Sequence, residues 1–119
     1  MKTSNPIKAK SFHFAIEIVK LCNQIQTNKK EFVLTNQLTR SGTSIGALYR
    51  EAEHAESKKD FVHKMCIAQK ECNESLYWLE LMEATEVISK DQFAHLESQA
   101  TEILKILARI IISSKNSLK

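Results

Sequence analysis

Between Ser57 and Met82 the apolar residues fall at Phe61, Met65, Ala68, Cys72, Leu76, Leu79 and Met82. Spacings of four and three return to one side of a helix and not to one side of a strand, so this stretch predicts a long amphipathic helix. Ser57 and Asp60 open it in an S-x-x-D arrangement, where the hydroxyl accepts from an orphan backbone N–H and the carboxylate sits at the positive helix end. One helix cannot bury its own stripe. The rest of the chain has to supply facing stripes.

Three further segments do so. Ser11 reads as a cap for Phe12, Ala15, Ile16, Val19 and Cys22, with Ile18 and Ile25 widening the face, and this predicts a first helix from Phe12 to Gln26 followed by a polar turn, TNKKE. A second helix is expected from Phe32 to Glu56, where Leu38, Ile45, Leu48 and Ala52 keep helical spacing. Both glycines of the chain, Gly42 and Gly46, lie inside it, four apart. Glycine in a helix costs about 0.5–1 kcal/mol relative to alanine, so something should offset it. Either another backbone approaches closely there, within the bundle or between subunits, or the helix kinks; the unbroken spacing favours close packing. Ser89 with Gln92 marks the start of a fourth helix, whose stripe is Phe93, Leu96, Ala100, Ile103, Leu107 and Ile110. Leu104, Ala108, Ile111 and Ile112 make that face broad, which fits either a surface for self-association or a central helix covered on several sides. Residues 1–10 are expected to form a basic arm, and residues 113–119 a frayed tail.

The pattern predicts an all-α, antiparallel up-down four-helix bundle, and composition agrees. Two glycines and one proline in 119 residues leave little turn chemistry for a many-stranded sheet. Cys22, Cys66 and Cys72 are odd in number, lie in apolar stretches and have no CxxC spacing, which speaks against a disulfide framework or a zinc site. No run approaches a membrane span, and no apolar signal-peptide core follows Met1, so a cytoplasmic location is expected. The net charge of +3 is too small to argue for nucleic acid by itself, and its surplus sits on the three lysines of residues 1–10.

Candidate chemistry is sparse. Glu51 and His54 match the i, i+3 ligand pair of di-iron bundles, but no second Glu-x-x-His accompanies them. Cys66 has His63 three residues away but falls beside the core stripe, where packing explains it. Glu74, near the edge of its stripe, calls for a cationic partner, and Arg40 is the candidate for a structural cross-helix pair; Glu71 lies beside it. Arg50, Lys58, Lys59, Lys64 and Lys70 gather near the corner between the second and third helices. Such a set is either a solvated face or, repeated by symmetry, an anion-binding surface. Tyr77 and Trp78, just off the core stripe, fit an interface anchor or a wider core face. No catalytic residue, metal or cofactor is expected.

The segment running from Gln37 through Met82 resembles a bacterial four-helix-bundle family named after proteins encoded in intervening sequences of the 23S ribosomal RNA gene. The resemblance lies in Gln37, Leu38, Arg40, Ser44 and Ile45, then Glu51 and Ala52, Asp60 and Phe61, Ile67 and Ala68, and the pair Glu71 and Glu74. Many relatives have Ala-Asn where this chain has Ala47-Leu48, so any role of that asparagine does not carry over. The resemblance implies an up-down bundle that assembles as a ring-shaped homopentamer, with no assigned enzymatic activity. The accessory variability determinant of diversity-generating retroelements is similar, a basic ring that binds nucleic acid and a reverse transcriptase. The expectation is therefore a non-enzymatic homo-oligomer that binds RNA or DNA, the alternative being a protein-interaction scaffold with no nucleic-acid role.

Overall fold

The computed structural model describes residues 5–118; Lys2 of the expected basic arm and Lys119 of the tail lie outside them. Four helices follow one another, α1 (Pro6–Lys29), α2 (Val33–Ala52), α3 (Lys58–Ala84) and α4 (Lys90–Asn116), with no strand among the described residues. Each helix packs on its neighbours in sequence, α4 closes against α1, and the diagonal pairs α1–α3 and α2–α4 make no close backbone approach. Cross-helix bonds fix the antiparallel senses. Gln26 donates to Thr35 at 2.9 Å between α1 and α2, Lys64 meets Glu51 between α2 and α3, and Lys10 meets Glu102 between α1 and α4. The predicted antiparallel up-down bundle is the fold observed.

Local chemistry explains where the helices begin. Asn5 caps α1 by accepting from the Lys8 N–H at 3.3 Å, and Pro6 takes the first helical position, where its missing N–H is no loss. The helix therefore begins six residues before the expected start and takes in Lys8 and Lys10 of the supposed arm. Ser11 is not a cap; it is buried, and its hydroxyl donates to Lys8 O within the helix. α2 has Phe32 at its cap position, so the preceding Glu31 does the capping, its carboxylate accepting from the N–H groups of Leu34 and Thr35 at 3.0–3.1 Å. It ends at Ala52, four residues before Glu56, because the chain has to turn and extend into the Ser57 cap of α3. Ser57 accepts from Asp60 N–H, and at α4 Ser89 and Gln92 complete a reciprocal capping box, both as the sequence predicts. α4 stays helical through Asn116, so most of the expected frayed tail belongs to it.

The core is one cluster running the length of the bundle, with Phe14, Ile18, Leu38, Ile45, Met65, Leu79, Met82, Ile103 and Leu107 at its centre. Burying each such side chain contributes about 1.5–3 kcal/mol. The glycines serve approach within the bundle: a Cβ on Gly42 would sit 3.1 Å from Ile18, and one on Gly46 would sit 3.3 Å from the Ser11 hydroxyl. Buried hydroxyls are paired, Ser75 donating to Ser41 at 2.9 Å across the α2–α3 seam.

One expectation about faces needs correction, and a second face, that of α4, is open to two readings in the sequence. α1 buries Ile7, Phe14, Ile18, Leu21, Cys22 and Ile25, whereas Phe12, Ile16 and Val19, expected in its core stripe, face outward. The broad apolar face of α4 is largely absorbed by its two neighbours: Leu104, Ile106 and Ile110 pack on the core, and within α4 Ile112 is the large apolar side chain left exposed.

Candidate functional site

Topology gathers the starts of α1 and α3 and the ends of α2 and α4 at one end of the bundle. Cations of all four helices meet there, and so do acids. Lys8 pairs with Glu53 at 3.2 Å, Lys10 with Glu102 at 3.2 Å and Lys64 with Glu51 at 3.0 Å, so the surplus assigned to the N-terminal lysines is partly neutralised. The Glu51 bond raises the pKa of Lys64 and ties its half-buried side chain to α2. Arg50, Lys58 and Lys59 are exposed and enter no ion pair among the described residues; Arg50 lies over the Phe12 ring at 5.4 Å. Lys70 is exposed farther along α3. The set expected from the sequence therefore divides, with Arg50, Lys58 and Lys59 at the bundle end, Lys64 engaged and Lys70 apart.

The same end carries cations that the sequence reading passed over. Lys105, Arg109 and Lys115 project from the last turns of α4 and are likewise unpaired among the described residues. The signal was present, since residues 103–119 contain four basic residues and no acid. It was hidden by the apolar run in which Lys105 and Arg109 sit. Against six unpaired cations this end sets Glu56 and Asp60, and Asp60 already accepts from the Glu56 backbone at 3.3 Å.

The Arg40 pair is present and larger than expected. The guanidinium reaches from α2 to both Glu71 and Glu74 on α3, at 3.1 Å to Glu71, and Trp78 Nε1 donates to Glu74 at 3.0 Å. The Trp78 bond, with that of Arg40, holds the Glu74 carboxyl below the usual glutamate range, and Glu74 raises the pKa of Arg40 in return. Both α3 carboxylates are thereby tied to the one α2 guanidinium, which makes the clamp a fastener between helices. A second knot joins α1 to α4: one oxygen of Glu17 accepts from Gln99 at 2.7 Å and meets His13, and the other meets His95 at 2.7 Å. Burial pushes Glu17 up, but the bonds from Gln99 and His95 outweigh it and leave the carboxyl lowered.

The other candidate residues do not come together into a site. His54 lies beyond the end of α2, and both it and Glu51 are exposed, so the pair does not face the bundle interior. Among the described residues no three His, Cys, Asp or Glu side chains are arranged to hold a metal ion. The three cysteines are free thiols; burial raises Cys22, and pushes Cys72 up to about 12, which suits packing and not nucleophilic attack. No described helix is long and apolar enough to cross a membrane.

The sequence profile of the 23S rRNA-intervening sequence proteins matches residues 3–109, nine-tenths of the chain. The chain belongs to the 23S rRNA-intervening sequence protein family. It is also similar to a solved structure from Bacteroides thetaiotaomicron, described as a protein of unknown function from the S23 ribosomal protein family. Identity is 50%, the match covers 88% of this chain and 97% of that one, and the TM-score is 0.87. No curated protein matches the chain. The match to the intervening-sequence family takes in α1 to α3, the Arg40 clamp and α4 as far as Arg109, and stops short of Lys115.

Proposed function

We propose that this chain is a non-enzymatic, self-associating bundle of the cytoplasm that binds the phosphate backbone of RNA or DNA. The observation that carries the reading is the basic end. After local ion pairs are set aside, Arg50, Lys58, Lys59, Lys105, Arg109 and Lys115 remain exposed against two acids. Lys70 extends the set along α3, and Lys64 contributes less because Glu51 holds it. Cations without a base-reading element in a groove favour phosphate contact over sequence recognition. A single bundle end offers few contacts; copies in an assembly would multiply them. The free thiols fit a reducing compartment. The groups with reactive side chains, Glu71, Glu74 and the buried thiols, are engaged by Arg40, Trp78 and the core, which supports a binding role.

The test is retention of labelled single-stranded RNA and duplex DNA by purified protein at low salt. Binding that disappears as salt rises supports the reading; no retention of either at low salt removes it. A second reading is favoured by the outward apolar face of α1, namely a scaffold for another protein. Co-purification of a partner that survives nuclease and high salt would distinguish it.

A further inference from the structure

Phe12, Phe32 and Tyr77 are the aromatic side chains exposed among the described residues. Their surroundings differ. Tyr77 stands within residues 71–86, which hold five glutamates and no lysine or arginine, a stretch that repels phosphate. Phe32 precedes α2, at the opposite end of the bundle from the unpaired cations. Phe12 lies in the first turns of α1, at the basic end, 56% exposed and with the Arg50 guanidinium over its ring at 5.4 Å.

The Phe12 ring forms one wall of a groove of about 460 Å³ in the α1–α2 seam, within the size range of small-ligand sites. Ala15, Gly46 and Ala47 give it a smooth floor, because α1 approaches α2 so closely that a Cβ on Gly46 would sit 3.3 Å from the Ser11 hydroxyl. Lys8 and Arg50 stand at its rim. The two hydroxyls in its walls have committed their hydrogens to the backbone, Ser11 donating to Lys8 O at 3.3 Å and Thr43 to Thr39 O at 2.7 Å. What remains is an apolar slot beside an aromatic ring, with free donors only on the rim cations.

We propose that this groove takes an unpaired base of a single-stranded nucleic acid, stacked on Phe12, while the neighbouring cations of the basic end hold the adjoining phosphates. Inside a duplex both faces of a base are covered by its neighbours, so none is free for a side chain. An unpaired base offers its face, and aromatic rings and guanidinium planes are what it stacks on. Every base has such a face, and the groove walls carry no free donor to read a base edge, so stacking here tolerates any sequence. Arg50, which enters no ion pair among the described residues, adds cation–π attraction at the ring and charge for the phosphate. This inference rests on the nucleic-acid binding proposed above, and adds which form of nucleic acid the basic end distinguishes.

Two substitutions at the exposed ring test it: Phe12→Leu keeps an apolar side chain and removes the aromatic face, whereas Phe12→Tyr keeps that face. Fluorescence anisotropy at low salt reads the affinity for labelled RNA and DNA strands, each alone and paired with its complement. Circular dichroism checks helix content, and light scattering checks mass. Loss of one stacked base is expected to weaken binding of single strands by Phe12→Leu about tenfold. Its duplex affinity and its salt dependence are expected to match the parent's, since no cation is removed. Phe12→Tyr is expected to bind every probe as the parent does. A parent that binds nucleic acid and a Phe12→Leu protein that binds single strands equally well would overturn the stacking role and leave phosphate contact standing. Equal loss on single strands and duplexes, or a change of mass on substitution, would overturn it as well, because Phe12 would then serve the basic end as a whole or contact between copies. A parent that retains no probe would overturn this inference together with the reading on which it rests.

Discussion

Gly42 and Gly46 look alike in the sequence and are not equivalent in the bundle. A methyl at Gly42 meets two carbons of Ile18 at 3.1 Å, and Ile18 is wholly buried and stiff at its branched carbon. A methyl at Gly46 meets first a hydroxyl, which can turn aside. Replacing either by alanine gains about 0.5–1 kcal/mol of helix propensity. Crowding a close-packed core loses about 1–3 kcal/mol. Gly42→Ala is therefore expected to lose about 1 kcal/mol net and Gly46→Ala to be neutral or slightly stabilising, as read by the urea midpoint of unfolding. Glu74 provides a second test at this scale. Its carboxyl is lowered in the folded protein, so its contribution is complete above the unfolded value of about 4.3 and is lost as pH falls through the lower folded one. The thermal midpoint should drop over that interval, and Glu74→Gln should drop less steeply. Equal slopes for the two proteins would show that the clamp contributes nothing to acid stability. The clamp was legible as Arg40 with Glu74; the Trp78 bond was not, because tryptophan four residues on reads as an apolar residue and not as a donor.

The elements were legible where periodicity had one reading. α3 and α4 begin at Ser57 and Ser89 as expected, since a capping hydroxyl acts on N–H groups within its own turn. α1 was misread by a rotation of its face. With Ile7, Phe12, Phe14, Ile16, Ile18, Val19 and Leu21 around its circumference, two stripes fit equally well, and the packing of α2 and α4 decides between them. Its start could have been found from Asn5-Pro6, a cap followed by a proline. The α3–α4 turn carried no glycine to announce it, yet it is built as a Schellman motif: Val87 N–H bonds to Met82 O at 2.8 Å, Glu86 N–H bonds to Glu83 O at 3.0 Å, and Glu86 takes φ 64°. A left-handed non-glycine residue carries a penalty of roughly 1–2 kcal/mol, partly offset here because glycine would lose more chain entropy on folding. Glu86→Gly is accordingly expected to stabilise the protein by about 0.5–1 kcal/mol in denaturant unfolding. A loss of stability would mean that the Glu86 side chain has a role that its exposure hides.

At the scale of the molecule, the four seams, the closing α4–α1 contact and the single core follow from patterns that repeat along the whole sequence. Charge does not follow so directly, because a cation's partner is set by topology. Lys8, Lys10 and Lys64 are neutralised by acids on other helices, while Lys105 and Arg109, interleaved with core isoleucines and leucines, and Lys115 beyond them join Arg50, Lys58 and Lys59 in entering no ion pair among the described residues. This moves the proposed binding surface from the N-terminal arm and the α2–α3 corner to the whole basic end of the bundle. The most direct measurement is the dependence of nucleic-acid affinity on salt for the parent and for the double variant Lys105→Gln, Arg109→Gln, with assembly mass checked in both. Phosphate contact by these side chains predicts a log–log slope for the parent that becomes shallower by about one to two in the variant, with uniformly weaker binding across sequences. An unchanged slope and affinity would contradict the assignment of nucleic-acid binding to this end.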